Sequence, residues 1–361
     1  MKSTFVMAGG GSGGHVIPAL AVARELRTHG HSVHFIGTRR GIEARLVPAE
    51  GFPIEWIEIG GLKRVGLRRT LSTLTELPWS VIQATRMLHR LSPAAVFSTG
   101  GYVAGPVLLA ALWMRVPIVV MEPNAIPGFT HRKLASFVSR ALVSFQETAR
   151  WFPAGRVEVT GMPVREEFFA APPPVFTQPL TVLITGGSQG SRTLNRAAEQ
   201  SWPLWRKGSV RLIHQTGWRS GSVAFEEREA RFRASGVAGE MHPFLDDMPG
   251  AFAQAALIVS RAGMGAVSEI AAAGRPSILV PLPTASDQHQ LHNAEAMQKA
   301  GAAIVVPDAD LSGARLVAEV TRLADNESQL EAMGKAARAF ARPGAARRAA
   351  EILESLAQGR D

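Results

Sequence analysis

Cysteine is absent from all 361 residues, which excludes a disulfide framework and a thiolate metal site. A run apolar enough to cross a bilayer is missing too. The longest, "VAGPVLLAALWM" from Val103 to Met114, stops at Arg115, short of the ~20 residues a spanning helix needs. The opening "MKSTFVMAGGGSGGH" has one Lys and only a brief apolar core before the glycines, too little for a secretory leader. No Lys follows a glycine turn at P-loop spacing, so a Walker-type phosphate loop is excluded. The run "SVHFIG" ends in Thr38-Arg39-Arg40, without the acid that an NAD-binding fold places there for the ribose. An NADP-binding oxidoreductase stays open, because Arg can meet a 2′-phosphate. No Asp/Glu pair has glycosidase spacing, and no His/Asp/Glu cluster reads as a metal site.

What is present is a soluble, globular composition: 46% hydrophobic and 19% charged residues. The length suits two domains of about 150–200 residues each. A formal net charge of +9 points to an anionic partner, or serves solubility alone. Its distribution is uneven. Between Leu62 and Leu91, Lys63, Arg64, Arg68, Arg69, Arg86 and Arg90 are set against one acid, Glu76, with Leu71, Leu74, Leu77, Trp79, Val81 and Ile82 among them. Basic residues beside apolar ones suit an anionic lipid surface. The same pattern also describes a core helix with a solvated basic face.

One construction recurs four times: a β-branched apolar run, a glycine-rich turn, then a helical pattern. It begins at Phe5, Ala95, Thr181 and Leu257, as "FVMAGGGSGGHVIPALAVA", "AVFSTGGYVAGPVLLAALW", "TVLITGGSQGSRTLNRAAE" and "LIVSRAGMGAVSEIAAAG". Further strand candidates lie between: "SVHFIG", "IEWIEI", "IVVME", "ALVSF", "VEVTG", "VRLIH", "SILVP" and "AIVV". Apolar runs alternating with helices predict parallel sheets covered on both faces. The expected fold class is α/β, with two tandem doubly wound, Rossmann-like domains. Their bounds are 1–163 and 181–342, joined by a proline-rich linker at 164–180. The last helical segment, within 343–361, is free to pack on either domain.

Ligands of such sheets bind beyond the carboxyl ends of the strands, where the glycine turns lie. A glycine turn opening a helix turns backbone N–H groups and the positive end of the dipole toward an anion. Gly9, Gly11 and Gly14 satisfy G-x-G-x-x-G, a weak signal by itself. In "SRAGMGAVSEIAAAG", Glu269 stands one helical turn beyond the glycines, where a carboxylate can accept both hydroxyls of a ribose. Taken alone, it could equally complement the helix dipole. "SDQHQLHNA" adds Asp287, Gln288, Gln290 and Asn293, suited to sugar hydroxyls or to a solvated face. Turn, acid and amides in one domain favour a nucleotide sugar. His15 stands at the start of a helix, where the cationic imidazole is disfavoured and the neutral base favoured. It can take a proton from an acceptor hydroxyl, or merely cap the turn.

Together, "GGGSGGH-x-x-P-A-L-A", "GGYVAGP", "GGSQGSR" and "SEIAAAG-x-P…DQHQLHNA" resemble the MurG family of bacterial glycosyltransferases over nearly the whole chain. The resemblance implies a GT-B fold and an inverting, metal-independent transfer of N-acetylglucosamine from UDP-N-acetylglucosamine to the 4-hydroxyl of undecaprenyl-diphosphate-linked N-acetylmuramoyl pentapeptide. It implies peripheral association with the cytoplasmic face of the bacterial membrane, no cofactor and no nucleic acid. It assigns donor contacts to Ser12, Gly13, Gly14 and Asn124, and diphosphate contacts to Arg165 and Ser188. Leu245 would present its backbone to uracil. Met264, Gly265, Ala266, Val267, Ser268 and Glu269 would line the ribose and sugar, with Gln290 and Asn293 on the sugar hydroxyls. Gly100, Gly101 and Tyr102 would form the acceptor or phosphate loop, and His15 would be the base. Arg68, Arg69, Trp79, Ile82 and Arg86 would touch the membrane. Three residues depart from the family pattern: Pro123 stands in place of Gln, Met264 in place of a small residue, and Ser12 in place of Thr.

Overall fold

Phe5, Val6, Met7 and Ala8 are all fully buried, on opposite faces of one strand. Phe5 and Met7 enter one core cluster and Val6 and Ala8 another, as the two-residue period of a strand requires. A strand apolar on both sides needs helices on both sides, and that demand organises the chain. The computed structural model describes residues 2–59, 66–218 and 222–359, with side chains described for all but 66–75 and 222–224. The chain divides into two units, Met1–Pro163 with Gly344–Asp361, and Val164–Pro343.

The strands of the first unit are β1 (Thr4–Gly9), β2 (Ser32–Gly37), β3 (Ile54–Trp56), β4 (Ala95–Gly100), β5 (Ile118–Glu122), β6 (Arg140–Val143) and β7 (Val157–Val159). They form one parallel sheet in the order β3-β2-β1-β4-β5-β6-β7. The helices are α1 (Gly13–Thr28), α2 (Glu43–Ala49), α3 (Gly66–Leu91), α4 (Ala104–Trp113) and α5 (Phe129–Leu134). Residues of α3 and α4 fill the core with Val6 and Ala8, and α1 fills the other.

The second unit carries β8 (Leu180–Thr185), β9 (Val210–Gln215), β10 (Ala238–His242), β11 (Leu257–Ser260), β12 (Ser277–Leu279) and β13 (Ala303–Val305), in the parallel order β10-β9-β8-β11-β12-β13. Its helices are α6 (Glu166–Phe169), α7 (Arg192–Ser201), α8 (Ser222–Ala234), α9 (Met248–Gln254), α10 (Met264–Ala273), α11 (His289–Lys299), α12 (Gly313–Ala324) and α13 (Glu327–Ala339). The final helix, α14 (Ala345–Gln358), returns to the first unit. Ala349, Ala350, Ile352 and Leu353 join the core with α1, and Arg348 pairs with Glu158 just beyond the start of β7.

Two features differ from the sequence reading. β10 has no counterpart among the expected strands. It is an edge strand with a mixed burial pattern, so "AGEMH" lacks the apolar run that marks central strands. Gly239 within it has φ +137°, and a Cβ there would sit 2.0 Å from the Leu212 carbonyl oxygen of β9. Only glycine permits that approach. The segment 164–180, read as a linker, is packed on the second unit. Phe168 is fully buried, edge-on to Phe252 at 5.0 Å between ring centroids.

Candidate functional site

In the first unit the site begins at the turn from β1 into α1. Ser12 is the N-cap of α1 with extended backbone, and its hydroxyl is turned to the His15 ring rather than to a helix amide. Ser12 Oγ and His15 Nδ1 are 3.1 Å apart. The His15 carbonyl accepts from Thr99 Oγ1 at 2.7 Å, which ties the start of α1 to the end of β4. A Cβ on Gly100 would lie 3.5 Å from His15 Nε2, so the second ring nitrogen looks across the turn after β4. Gly101 has φ +86°, and a Cβ there would stand 2.4 Å from the Gly10 carbonyl oxygen. Glycine is thus required where the two turns meet. Ser12, Gly14, Gly100 and Gly101, distant in sequence, are gathered at the carboxyl ends of adjacent strands.

The glycine turn is held from beneath by a residue the sequence reading missed. Glu43 is fully buried and accepts from Gly11 N at 2.8 Å, Thr38 N at 3.1 Å and Thr38 Oγ1 at 2.9 Å. Thr38 Oγ1 lies 3.0 Å from Tyr102 OH. A dinucleotide fold turns the amides of this loop toward a pyrophosphate; here the Gly11 amide is donated to a carboxylate of the chain itself. That arrangement tells against the NADP reading.

Asn124 is likewise shaped by a buried acid. Glu122 accepts from Asn124 N and Nδ2, from Gly128 N, and from His131 Nδ1 at 2.9 Å. Burial works to raise the Glu122 pKa. It is outweighed by the hydrogen bond and charge of His131 and by the amides of Gly128 and Asn124, so the net direction is down. Pro123 is buried beside them.

In the second unit three loops meet beyond β8, β9 and β10. The Ser188 carbonyl accepts from Trp218 N at 3.0 Å, and the exposed Trp218 ring stacks on Phe244 at 5.1 Å. Leu245 N donates to Gln215 Oε1 at 2.9 Å, and Gln215 Nε2 donates to Thr185 Oγ1 at 3.1 Å. The Leu245 backbone is therefore braced from the neighbouring strand. Gln215, fully internal on β9, was not singled out by sequence, since its role depends on a loop thirty residues away.

On the other side of β8, α10 opens at Gly263, its N-cap, with Met264 nearly buried. Gln290 Oε1 accepts from Leu282 N at 3.0 Å, and a Cβ on Gly263 would be 3.7 Å from Gln290 Nε2. Gln290 thus reaches the start of α10. Asn293 has a different position from the one expected. It is fully buried, and its Nδ2 donates to the Ala262 carbonyl at 3.2 Å, so it supports the turn before α10 instead of facing a sugar. Asp287 and Gln288, just before α11, both adopt left-handed backbone (φ 51° and 52°). Each costs about 1–2 kcal/mol for a residue with a Cβ, and such strain is concentrated at binding loops. Arg261 bridges Asp308 and the Val280 carbonyl, fastening the ends of β11 and β12.

Glu269 lies on α10 among Gly265, Ala266, Val267 and Ser268. Burial pushes its carboxyl up to about 7, against the opposing charge of Arg165. Arg165, at the start of α6, has its guanidinium 5.1 Å above the Phe168 ring. A carboxylate poised near neutrality, an arginine beside it, and an amide at a helix N-terminus can together hold a polyhydroxylated anion.

Of the expected membrane residues, Trp79 and Ile82 are exposed at 49% and 44%, with the Arg86 guanidinium 5.7 Å from the Trp79 ring. The side chains of Arg68 and Arg69 lie outside the described residues. Among the described residues no helix is long and apolar enough to cross a membrane.

Residues 5–143 match the glycosyltransferase family 28 N-terminal domain, and residues 181–349 match the glycosyltransferase family 28 C-terminal domain. The chain is 58% identical over 358 residues to the UDP-N-acetylglucosamine--N-acetylmuramyl-(pentapeptide) pyrophosphoryl-undecaprenol N-acetylglucosamine transferase of Solibacter usitatus (strain Ellin6076), covering 99% of this chain and 97% of that protein. The crystal structure of Acinetobacter baumannii MurG superposes with a TM-score of 0.81 at 32% identity, over 98% of this chain and 99% of that one. A UDP-GlcNAc 2-epimerase from Neisseria meningitidis aligns with a TM-score of 0.65 at 15% identity, over 98% of this chain and 100% of that one. That last likeness is of fold alone.

Proposed function

The chain belongs to glycosyltransferase family 28, among its UDP-N-acetylglucosamine--N-acetylmuramyl-(pentapeptide) pyrophosphoryl-undecaprenol N-acetylglucosamine transferases, and from that premise we propose how its residues divide the work. It transfers N-acetylglucosamine from UDP-N-acetylglucosamine to the 4-hydroxyl of undecaprenyl-diphosphate-linked N-acetylmuramoyl pentapeptide, with inversion. The second unit grips the donor. Leu245 presents its braced backbone to uracil, Glu269 accepts the ribose hydroxyls, and Gln290 meets the sugar. Asn293 keeps the turn before α10 in shape. Ser188 and Arg165 meet the diphosphate. The first unit handles the acceptor through the turn at Gly100, Gly101 and Tyr102, and Ser12, Gly13, Gly14 and Asn124 contribute donor contacts.

In the reaction, His15 Nε2 takes the proton of the acceptor hydroxyl. The freed oxygen bonds to the anomeric carbon while the bond from that carbon to the diphosphate breaks, and UDP leaves with the electron pair. Fixed donors and the Arg165 charge stabilise it without reorganising. Ser12 holds Nδ1, which orients the ring.

The observation that carries this reading is the grouping at α10: Glu269 lies on that helix, Arg165 from the start of α6 acts on its charge, and Gln290 from α11 reaches the Gly263 N-cap. Melting temperature against a panel of UDP-sugars and pyridine nucleotides tests it. UDP-N-acetylglucosamine should stabilise the protein and NADPH should not; the reverse would overturn the assignment.

The same reading makes the enzyme a peripheral protein on the cytoplasmic face of the membrane, where nucleotide sugar and lipid-linked acceptor meet. Trp79 and Ile82 supply the apolar contact. Arg86, with Arg68 and Arg69, supplies attraction of about 1 kcal/mol per cation near anionic headgroups.

A further inference from the structure

Arg275 is fully buried at the carboxyl side of α10, and it forms no ion pair with a carboxylate among the described residues. Its Nη2 donates to the Pro172 carbonyl at 2.7 Å and to the Ala253 carbonyl, while Nε and Nη1 have no hydrogen-bond partner among the described residues. Burial, with the neighbouring charge of Arg338, brings its pKa down to about 10. Burying a guanidinium near a second one is costly. Arg338, on α13, donates from Nη2 to the Phe169 carbonyl at 2.9 Å.

Both arginines thus grip carbonyls of one short stretch, the end of α6 and the residues just after it, where last-turn carbonyls lack helical partners. The approach depends on two glycines. Gly274 ends α10 in left-handed conformation, and the Arg338 stem would lie 3.5 Å from a Cβ there. A Cβ on Gly334 would meet the Gly274 carbonyl oxygen at 2.8 Å. With no side chain at either place, α13 lies directly against the end of α10. About one and a half turns back along α10 is Glu269. At the other end of α6 is Arg165, its guanidinium seated on Phe168, which is itself locked against Phe252.

We propose that Arg275 and Arg338 are positioning residues for the donor site: they strap residues 165–172 onto the second unit and thereby hold Arg165 beside Glu269. Neither touches the substrate. The inference rests on the donor assignment given above. The charged groups carried by α6 and its N-cap, α9 and its N-cap, α11 and α13 around α10 include Arg165, Glu166, Asp247, His292, Lys335 and Arg338. Of these, Arg165 is the one whose charge acts on Glu269. Loosening the strap therefore has a signature beyond lost stability. Glu269 loses its counter-charge and holds its proton to higher pH.

The test uses the full-length enzyme, with UDP-N-acetylglucosamine as the varied substrate across pH 5.5–9. Arg338→Ala should raise donor KM and lower kcat in the same direction as Arg165→Met, with kcat/KM for the donor falling about 2- to 20-fold, a range typical of coupled neighbours. It should move the midpoint of the KM–pH curve upward, in the direction of Arg165→Met. In an Arg165→Met background, Arg338→Ala should add nothing to that midpoint. Arg338→Lys should restore much of the loss, and Arg275→Lys, which keeps a buried cation, should shift the midpoint in the same sense. A lower melting temperature with KM and midpoint unmoved in both Arg338→Ala and Arg275→Lys would overturn the proposal. If Arg165→Met and Glu269→Gln themselves leave donor KM untouched, the donor assignment beneath it falls instead.

Discussion

Ser12 Oγ stands 3.1 Å from His15 Nδ1, so the residue that caps α1 also grips the imidazole one turn later. An imidazole held by one nitrogen presents the other in a set direction. His15→Ala should lower turnover roughly 10²–10⁴-fold, the usual effect of losing a positioned base, while donor affinity stays close to normal. Ser12→Ala should do the same more weakly. Steady-state kinetics beside donor titration separates the two effects, and undiminished turnover in His15→Ala would remove it from the mechanism.

Glu269 provides a pH prediction. Its carboxyl titrates at about 7 in the folded protein, and only the charged form accepts two ribose hydroxyls. Donor KM should therefore climb as pH falls through 7, and Glu269→Gln should flatten that dependence while raising KM overall. Stability follows the opposite sense. The folded state holds this proton more tightly than the unfolded chain does, so stability drains as pH rises from about 4.5 toward 7. Melting temperature at pH 8 should be higher in Glu269→Gln than in the parent.

His214 adds a second titration. Burial, aided by the Arg228 charge, holds its pKa down to about 3, with Nε2 bonded to Asn195 Oδ1. Below pH 6.5 the unfolded chain takes up a proton that the folded chain refuses. Stability should therefore fall as pH drops below about 6.5, while the unfolded imidazole is protonated and the folded one is not. Denaturant unfolding of His214→Gln should show a shallower acid slope than the parent.

Glu43→Ala removes one carboxylate from three donors in the interior. Unsatisfied buried donors cost about 1–3 kcal/mol each before relaxation, so a loss of about 3–5 kcal/mol is expected in chemical denaturation. Thr38→Val should cost less, since the Gly11 amide keeps its acceptor. An unchanged midpoint in Glu43→Ala would mean that the glycine turn holds its shape without it.

Trp79→Ala, Ile82→Ala and Arg86→Glu together should weaken binding to anionic vesicles, with turnover on a short-chain soluble acceptor retained. Salt should weaken what remains of the binding in the parent. If soluble-acceptor turnover fell in parallel with vesicle binding, this face of α3 would be serving the fold.

The sequence by itself determined the two parallel sheets, the glycine turns and the place of His15. Each is written within some twenty consecutive residues: an apolar run, a turn that needs glycine, a helical period. The place of Glu269 on its helix follows for the same reason, one turn beyond the glycines. Tertiary structure alone decided how those parts are held. Glu43 reaches Gly11, Gln215 reaches Leu245, and Arg275 and Arg338 reach Pro172 and Phe169 across long stretches of chain. It also withdrew Asn293 into the interior and added β10 as an edge strand. A buried polar group takes its meaning from whichever partner satisfies it, and that partner is chosen by packing, not by proximity along the chain.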